Sequence, residues 1–177
     1  MSSTVSLNAL NAMSAADFTA RLGAIFEHSP WVAERAAARR PFASVEELHR
    51  AMADAVRGAT EEERLRLIRA HPELAGKAAV RGELTNESTR EQKGAGLDQC
   101  SPEEFERMQD LNRRYNEKFG FPFVIAVKGH DRHSILKHFA QRLENPRDVE
   151  AAECIEQIIR IGGFRLADVV MVTPQTN

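Results

Sequence analysis

The chain has 177 residues, a formal net charge of −2, and 42% hydrophobic against 28% charged residues. That balance belongs to a soluble globular protein long enough for one domain with its own core. It excludes a general electrostatic drive toward nucleic acid or an anionic membrane, and no apolar run approaches the ~20 residues that span a bilayer.

The first residues, MSSTVSLNALNAMS, lack the basic start and apolar run of a secretory signal. The last, MVTPQTN, carry no peroxisomal or endoplasmic-reticulum address. Cys100 and Cys154 form no C-x-x-C pair and read as reduced thiols. A cytoplasmic protein is expected.

The helical signal is strong along most of the chain. Ser14 with Asp17 begins a segment that sets Phe18, Leu22, Ile25 and Phe26 on one face. Ser29-Pro30 opens a second helix, with proline at its first position, and that helix ends before Pro41. Ser44 with Glu47 is a capping box ahead of Leu48, Met52 and Val56, and Thr60 with Glu63 is another ahead of Leu65 and Ile68. Ser101-Pro102 with Glu104 starts the longest clear case. Its apolar stripe is Phe105, Met108, Leu111, Tyr115 and Phe119, and Gly120 stops it. Asn145-Pro146 starts a helix with Val149, Ala152, Ile155 and Ile159 on its apolar side. Gly162-Gly163 predicts a kink or break before the pattern resumes through Arg165, Leu166 and Val169.

Only FPFVIAV, Phe121 to Val127, looks strand-like, and one strand makes no sheet. The expected fold is therefore all-α: a compact single-domain bundle over residues 1–177, threaded by one buried extended segment near 121–127. Such a segment leaves backbone N–H and C=O groups that need water, side chains or a ligand.

Four places carry residues suited to chemistry, each with a plain structural alternative. His71 precedes Pro72, which turns it off the helical path at a helix C-terminus, where protonation is favoured. Alternatively it only caps carbonyls. Ser88, Glu91 and Gln92 share one helical face and offer a hydroxyl, a carboxylate and an amide to a small polar ligand, or they are an exposed helix start. His130, His133 and His138 have no acidic or cysteine ligand at a diagnostic spacing and read as solvated positions, with no metal. Arg165 sits in an apolar stretch, aimed at a ligand or tied in a salt bridge. No phosphate-binding glycine loop and no nucleophile elbow is present.

Taken together, HPELAGK, LTNESTREQKGAGLDQ, FPFVIAVKG and IRIGGFRLADVV, with FEHSPWVAERA near the start, resemble the 2-oxo-4-hydroxy-4-carboxy-5-ureidoimidazoline (OHCU) decarboxylase family of urate breakdown. The likeness runs over nearly the whole chain. It departs at Gly162-Gly163, where the family more often carries larger residues, and His130 and His133 are outside the family pattern.

The resemblance implies a compact all-α, cofactor-free carboxy-lyase that turns OHCU into (S)-allantoin and carbon dioxide, working as a homodimer. It implies catalysis by His71 and Glu91. It implies substrate contacts from Pro72, Ser88, Thr89, Arg90, Glu91 and Gln92, from the main chain of Phe123, Val124, Ile125, Ala126 and Val127, and from Arg165. Two other readings compete with it: a helical interaction module without an active site, and a hydrolase acting on hydroxyisourate.

Overall fold

The computed structural model describes residues 4–171; the first three and the last six residues, on which the readings of the two termini partly rest, lie outside the described residues. In chain order the elements are β1 (Val5–Ser6), α1 (Leu7–Ala12), α2 (Ala15–Leu22), α3 (Trp31–Ala37), α4 (Val45–Arg57), α5 (Glu61–Ala70), α6 (Lys77–Val80), α7 (Asn86–Gly94), a 3₁₀ turn (Leu97–Gln99), α8 (Pro102–Phe119), α9 (Arg132–Leu143), α10 (Arg147–Val169) and β2 (Val170–Met171). The protein is all-α. Among the described residues the only sheet is the two-residue parallel pairing of β1 with β2, Val5 opposite Val170. Phe121–Val127, the one stretch with strand character in its sequence, joins no sheet; it is non-helical and buried throughout.

The chain divides into two compact units, Met1–Ala70 with Ile159–Asn177, and His71–Ile158. In the first, α2 and α4 are capped by Ser14 and Ser44, whose hydroxyls accept from the amides of Asp17 and Glu47. Thr60 and Glu63 cap α5 reciprocally, and the Glu63 carboxylate also pairs with Arg35. Leu10, Phe18, Leu22, Val32, Leu48, Met52, Val56, Leu67 and Leu166 form the core. The predicted Phe18-to-Phe26 stripe is not one helix. α2 ends at Leu22, and Ile25 and Phe26 reach the same core from the turns that follow. Pro30 is the N-cap of α3 rather than its first residue.

The second unit is built on aromatic packing. Tyr115 of α8 lies 4.5–6.0 Å, centroid to centroid, from Phe119, Phe121, Phe123 and Phe139, and the rings of Phe123 and Phe139 stack at 3.9 Å. Offset and edge-on contacts of this kind add about 0.5–1.5 kcal/mol per pair to the burial itself. Ser101 and Glu104 cap α8 as expected, and Gly120, with φ +78°, ends it in the left-handed conformation. Three stripe positions differ from expectation: Phe105 is 38% and Val149 48% exposed, and Ala152 is exposed. Ile155 and Ile159 are buried as expected, and beside them α10 turns Glu150, Cys154 and Ile158 inward. Apolar periodicity misses that face because a buried carboxylate stands on it.

The expected break at Gly162-Gly163 does not occur; α10 is continuous through both. These glycines serve close approach. A Cβ on Gly162 would stand 2.7 Å from Cζ of Phe26, and one on Gly163 would stand 3.0 Å from Cε1 of His49. His49 is itself fixed, with Nε2 2.7 Å from the Ile159 carbonyl. Helix propensity alone makes Gly162→Ala stabilising by about 1 kcal/mol. The ring of Phe26 reverses the sign. Urea denaturation should show Gly162→Ala destabilised by about 1–3 kcal/mol, the ordinary cost of overpacking a filled core.

Candidate active site

The second unit opens with His71, the first residue after α5, and His71 is 7% exposed. The chain then runs through Pro72 to Gly76 without helical hydrogen bonding of its own. Side-chain amides take its backbone groups in turn. The Glu73 carbonyl accepts from Gln92 Nε2 at 3.2 Å, and the Leu74 carbonyl accepts from Asn112 Nδ2 at 3.0 Å. The Ala75 amide donates to Gln92 Oε1 at 3.0 Å, and the Ala75 carbonyl accepts from Gln109 Nε2 at 2.6 Å. Asn116 Nδ2 adds a 2.7 Å bond to the Glu73 carboxylate.

The clamp holds a strained residue. Ala75 has φ +50°, a left-handed conformation that costs an L-residue roughly 1–2 kcal/mol. Strain of this sort persists where surrounding contacts over-determine the backbone, and Ala75 is bonded on both its amide and its carbonyl. The Asn112 Oδ1 beside this loop is buried and accepts from no described residue, which leaves it an acceptor for water or a bound molecule.

Gln92 brings α7 against the loop. Thr85, not Ser88, is the N-cap of α7, accepting from the Ser88 amide. Ser88 and Gln92, one helical turn apart, are the buried positions; Glu91 between their rows is half-buried, and Thr89 and Arg90 face outward. The predicted Ser88–Gln92 face therefore does turn inward, toward the segment that begins at His71. Both ends of the Gln92 amide are occupied by the loop, so its role is to hold main chain.

The remaining predicted positions fall as follows. Pro72 is half-buried, and Phe123 to Val127 are all buried. Arg165 lies in the first unit and is itself buried. Its Nη2 donates to the buried Glu27 carboxylate at 2.8 Å, with longer contacts from Nη1 to the carbonyls of Ala24 and Ile25, so the salt-bridge alternative describes it there. The His130 and His138 rings meet edge-on at 5.1 Å, and His133 lies 3.4 Å from Glu104. Among the described residues no group of three or more His, Cys, Asp or Glu side chains is arranged to hold a metal. None of the described helices is long and apolar enough to cross a membrane.

A cavity of about 610 Å³ opens in this unit, walled largely by apolar side chains including Ala79, Leu97 and Phe105. Of the predicted site residues only Thr89 and Gln92 line it; His71 and Glu91 do not.

Sequence reasoning missed Asn112, Gln109, Arg142 and Gln157, each of which fixes main chain near the predicted groups. A signal existed for two of them. Asn112 stands in the apolar stripe of α8 between Met108 and Tyr115, and Arg142 stands in that of α9 between Phe139 and Leu143. A polar side chain on a core-facing stripe implies a buried partner. If Gln92 holds the loop, Gln92→Ala should lower stability by about 1–3 kcal/mol, the cost of leaving buried polar groups unpaired. It should also speed amide hydrogen exchange at Ala75 relative to the core of α8; unchanged protection at Ala75 would count against the clamp.

The family pattern described as OHCU decarboxylase matches residues 11–167. The chain is 42% identical to the uric acid degradation bifunctional protein PucL of Bacillus subtilis over 95% of its own length and 33% of that protein. It is 41% identical to the 2-oxo-4-hydroxy-4-carboxy-5-ureidoimidazoline decarboxylase of Haloferax volcanii over 93% of its length and 95% of that protein. It thus spans about a third of the bifunctional Bacillus relatives and nearly all of the archaeal one. The crystal structure of (S)-allantoin synthase superposes with a TM-score of 0.75 at 26% identity, over 93% of this chain and 54% of that one. An OHCU decarboxylase crystallised in the presence of (S)-allantoin, at 20% identity and a TM-score of 0.64, supports the fold alone. With its pattern matched over both compact units, the chain belongs to the OHCU decarboxylase family.

Proposed function

We propose that the protein decarboxylates OHCU to (S)-allantoin and carbon dioxide, with His71 and Glu91 carrying the proton transfers. One observation carries the reading. A buried histidine heads a loop whose backbone is bound by Gln92, the neighbour of Glu91, so the two segments that hold the acid–base candidates are tied together. Membership of the family supplies the substrate class.

The substrate chemistry sets what is needed. OHCU carries its carboxylate and a hydroxyl on one ring carbon, beside a carbon doubly bonded to nitrogen. When carbon dioxide leaves, the electron pair of the broken C–C bond becomes a carbon–carbon double bond and the imine pair moves onto nitrogen. The substrate is its own electron sink, the service a pyridoxal or thiamine cofactor renders elsewhere, so the reaction asks for no cofactor. Completion takes one proton onto that ring nitrogen, one onto the ureido-bearing carbon, on one face, and one off the hydroxyl to give the product carbonyl, a net uptake of one proton.

His71 interacts with the hydroxyl and the leaving carboxylate, and Glu91 pairs with it in delivering a proton to carbon. Ser88 and the main chain of Phe123–Val127 hold the ureido and ring amides, with Pro72, Thr89, Arg90 and Gln92 around them. The resemblance assigns Arg165 to the substrate as well; its bond to Glu27 fixes the direction of its guanidinium. A cytoplasmic homodimer completes the proposal, and light scattering tests the dimer.

The decisive assay adds the protein to freshly made urate-oxidation product and follows carbon dioxide release with the optical activity of allantoin. A hydroxyisourate hydrolase releases no carbon dioxide, and an interaction module changes neither signal. His71→Asn and Glu91→Gln should each lower kcat by about 10²- to 10⁴-fold, the usual contribution of a general acid or base. Wild-type turnover by either variant removes that residue from the mechanism.

A further inference from the structure

The non-helical segment Phe121–Val127 is fastened along one edge by side chains that no part of the proposed chemistry uses. Arg142 of α9 donates from Nη1 to the Val124 carbonyl at 2.7 Å. The Ala126 amide donates to Gln157 Oε1 of α10 at 3.0 Å. In extended backbone the N–H and C=O of alternate residues point to the same side. Val124 and Ala126 are alternate residues of this non-helical run, and where it is extended their bonds share one edge, with the N–H and C=O of Ile125 on the other.

The fastening groups are themselves fixed. Arg142 Nε donates to Glu150 Oε1 at 2.9 Å, and its guanidinium lies 4.3 Å over the ring of Phe123. Glu150 is fully buried and also accepts from the Tyr115 hydroxyl at 2.7 Å and from Asn145 Nδ2 at 2.9 Å. Gln157 is steadied by its bond to Glu153.

We propose that Arg142 and Gln157 are positioning residues that reserve the Ile125 edge of this segment for the amide groups of the substrate. A ureido-imidazolone presents N–H and C=O groups in the spacing of a peptide, so an extended main-chain edge reads it as a sheet edge reads an added strand. Neither side chain touches the substrate. Each acts by preventing the segment from rotating about its long axis. This inference rests on the functional reading above.

The test is steady-state kinetics on OHCU generated in place. Losing Arg142 alone strands the buried Glu150 carboxylate, so the informative variant replaces both, Arg142→Met with Glu150→Met, which removes the pin without leaving an unpaired charge. Gln157→Leu removes the second pin, and Gln157→Glu keeps an acceptor for the Ala126 amide. A loss of binding shared by substrate and transition state raises KM and spares kcat. The double variant and Gln157→Leu should therefore raise KM about tenfold with kcat within about threefold, one lost hydrogen bond of ordinary strength per pin. Gln157→Glu should hold KM near the wild-type value.

A purely structural role would lower the melting temperature and leave KM unchanged in the folded fraction, and that result overturns the inference. So does a Gln157→Glu variant as impaired as Gln157→Leu. Wild-type protein that fails to consume OHCU overturns the functional reading and this inference together, whereas active wild type with unaffected variants overturns this inference alone.

Discussion

A stretch of main chain buried inside a helical protein without helical or sheet partners must find its hydrogen bonds elsewhere, and here much of that requirement converges on the ion pair of Arg142 and Glu150. The guanidinium has five N–H donors in a fixed plane. It uses them on a backbone carbonyl, a carboxylate and a thiol while its face covers Phe123. A lysine has three donors on a single nitrogen and no planar face, so it could not span these partners and cover the ring together. Two charges this deep are held at a large desolvation cost unless the remaining lone pairs are filled, and Tyr115 and Asn145 fill them on Glu150. Burial pushes the Tyr115 phenol well above its usual range and raises the Cys154 thiol, so each stays protonated beside the pair. Burial works against the Arg142 charge, and the groups around it outweigh that. The pair thereby joins α8, α9, α10 and the Phe121–Val127 segment through one set of bonds. That is a poor source of net stability but a strong determinant of where one backbone segment lies.

The His71 loop solves the same problem with neutral groups. Four backbone positions are met by the amides of Gln92, Asn112 and Gln109, two of them at a residue in the left-handed region. Packing alone would not hold an alanine there. Two non-helical segments of the second unit are thus each held by dedicated side chains, and those segments carry several of the residues proposed above to meet the substrate. Non-helical main chain is what supplies recognition groups that helices consume internally, and each such segment requires a polar scaffold to replace the lost ladder.

Much of the helical framework is written locally. Thr60 with Glu63 and Ser101 with Glu104 are capping boxes readable from spacing alone, and both form their reciprocal bonds, whereas Ser44 accepts from the Glu47 amide while the Glu47 carboxylate takes the Ala43 amide one residue earlier. The buried Phe121–Val127 run is equally legible, being too apolar for a surface loop. What escapes is decided by distant contacts. Gly162-Gly163 predicts a break by propensity, but the rings of Phe26 and His49 occupy the space a side chain would need. The β1–β2 pairing joins residues at opposite ends of the chain and leaves no local mark in two-residue strands. Val149 resembles a core residue by period, yet the helix turns Glu150 inward because Arg142 waits for it. For the site, residue type and order point to His71 and to the Ser88–Gln92 face, whereas the direction in which Gln92 spends its amide depends on a loop almost a score of residues upstream.

That direction has a chemical consequence. A carboxylate in place of Gln92 could accept from the Ala75 amide but could not donate to the Glu73 carbonyl, so only an amide closes both bonds. It would also set a second negative charge one residue from Glu91. Like charges at short range raise each other's protonation, because the interaction scales inversely with distance and with a dielectric well below that of water. A clamp made of Gln92, Gln109 and Asn112 fixes the loop that begins at His71 while adding no charge to the neighbourhood. For the decarboxylation proposed above, a neutral scaffold of this kind leaves the departing carboxylate and the arriving proton to the proposed acid–base groups, where a charged one would compete for them.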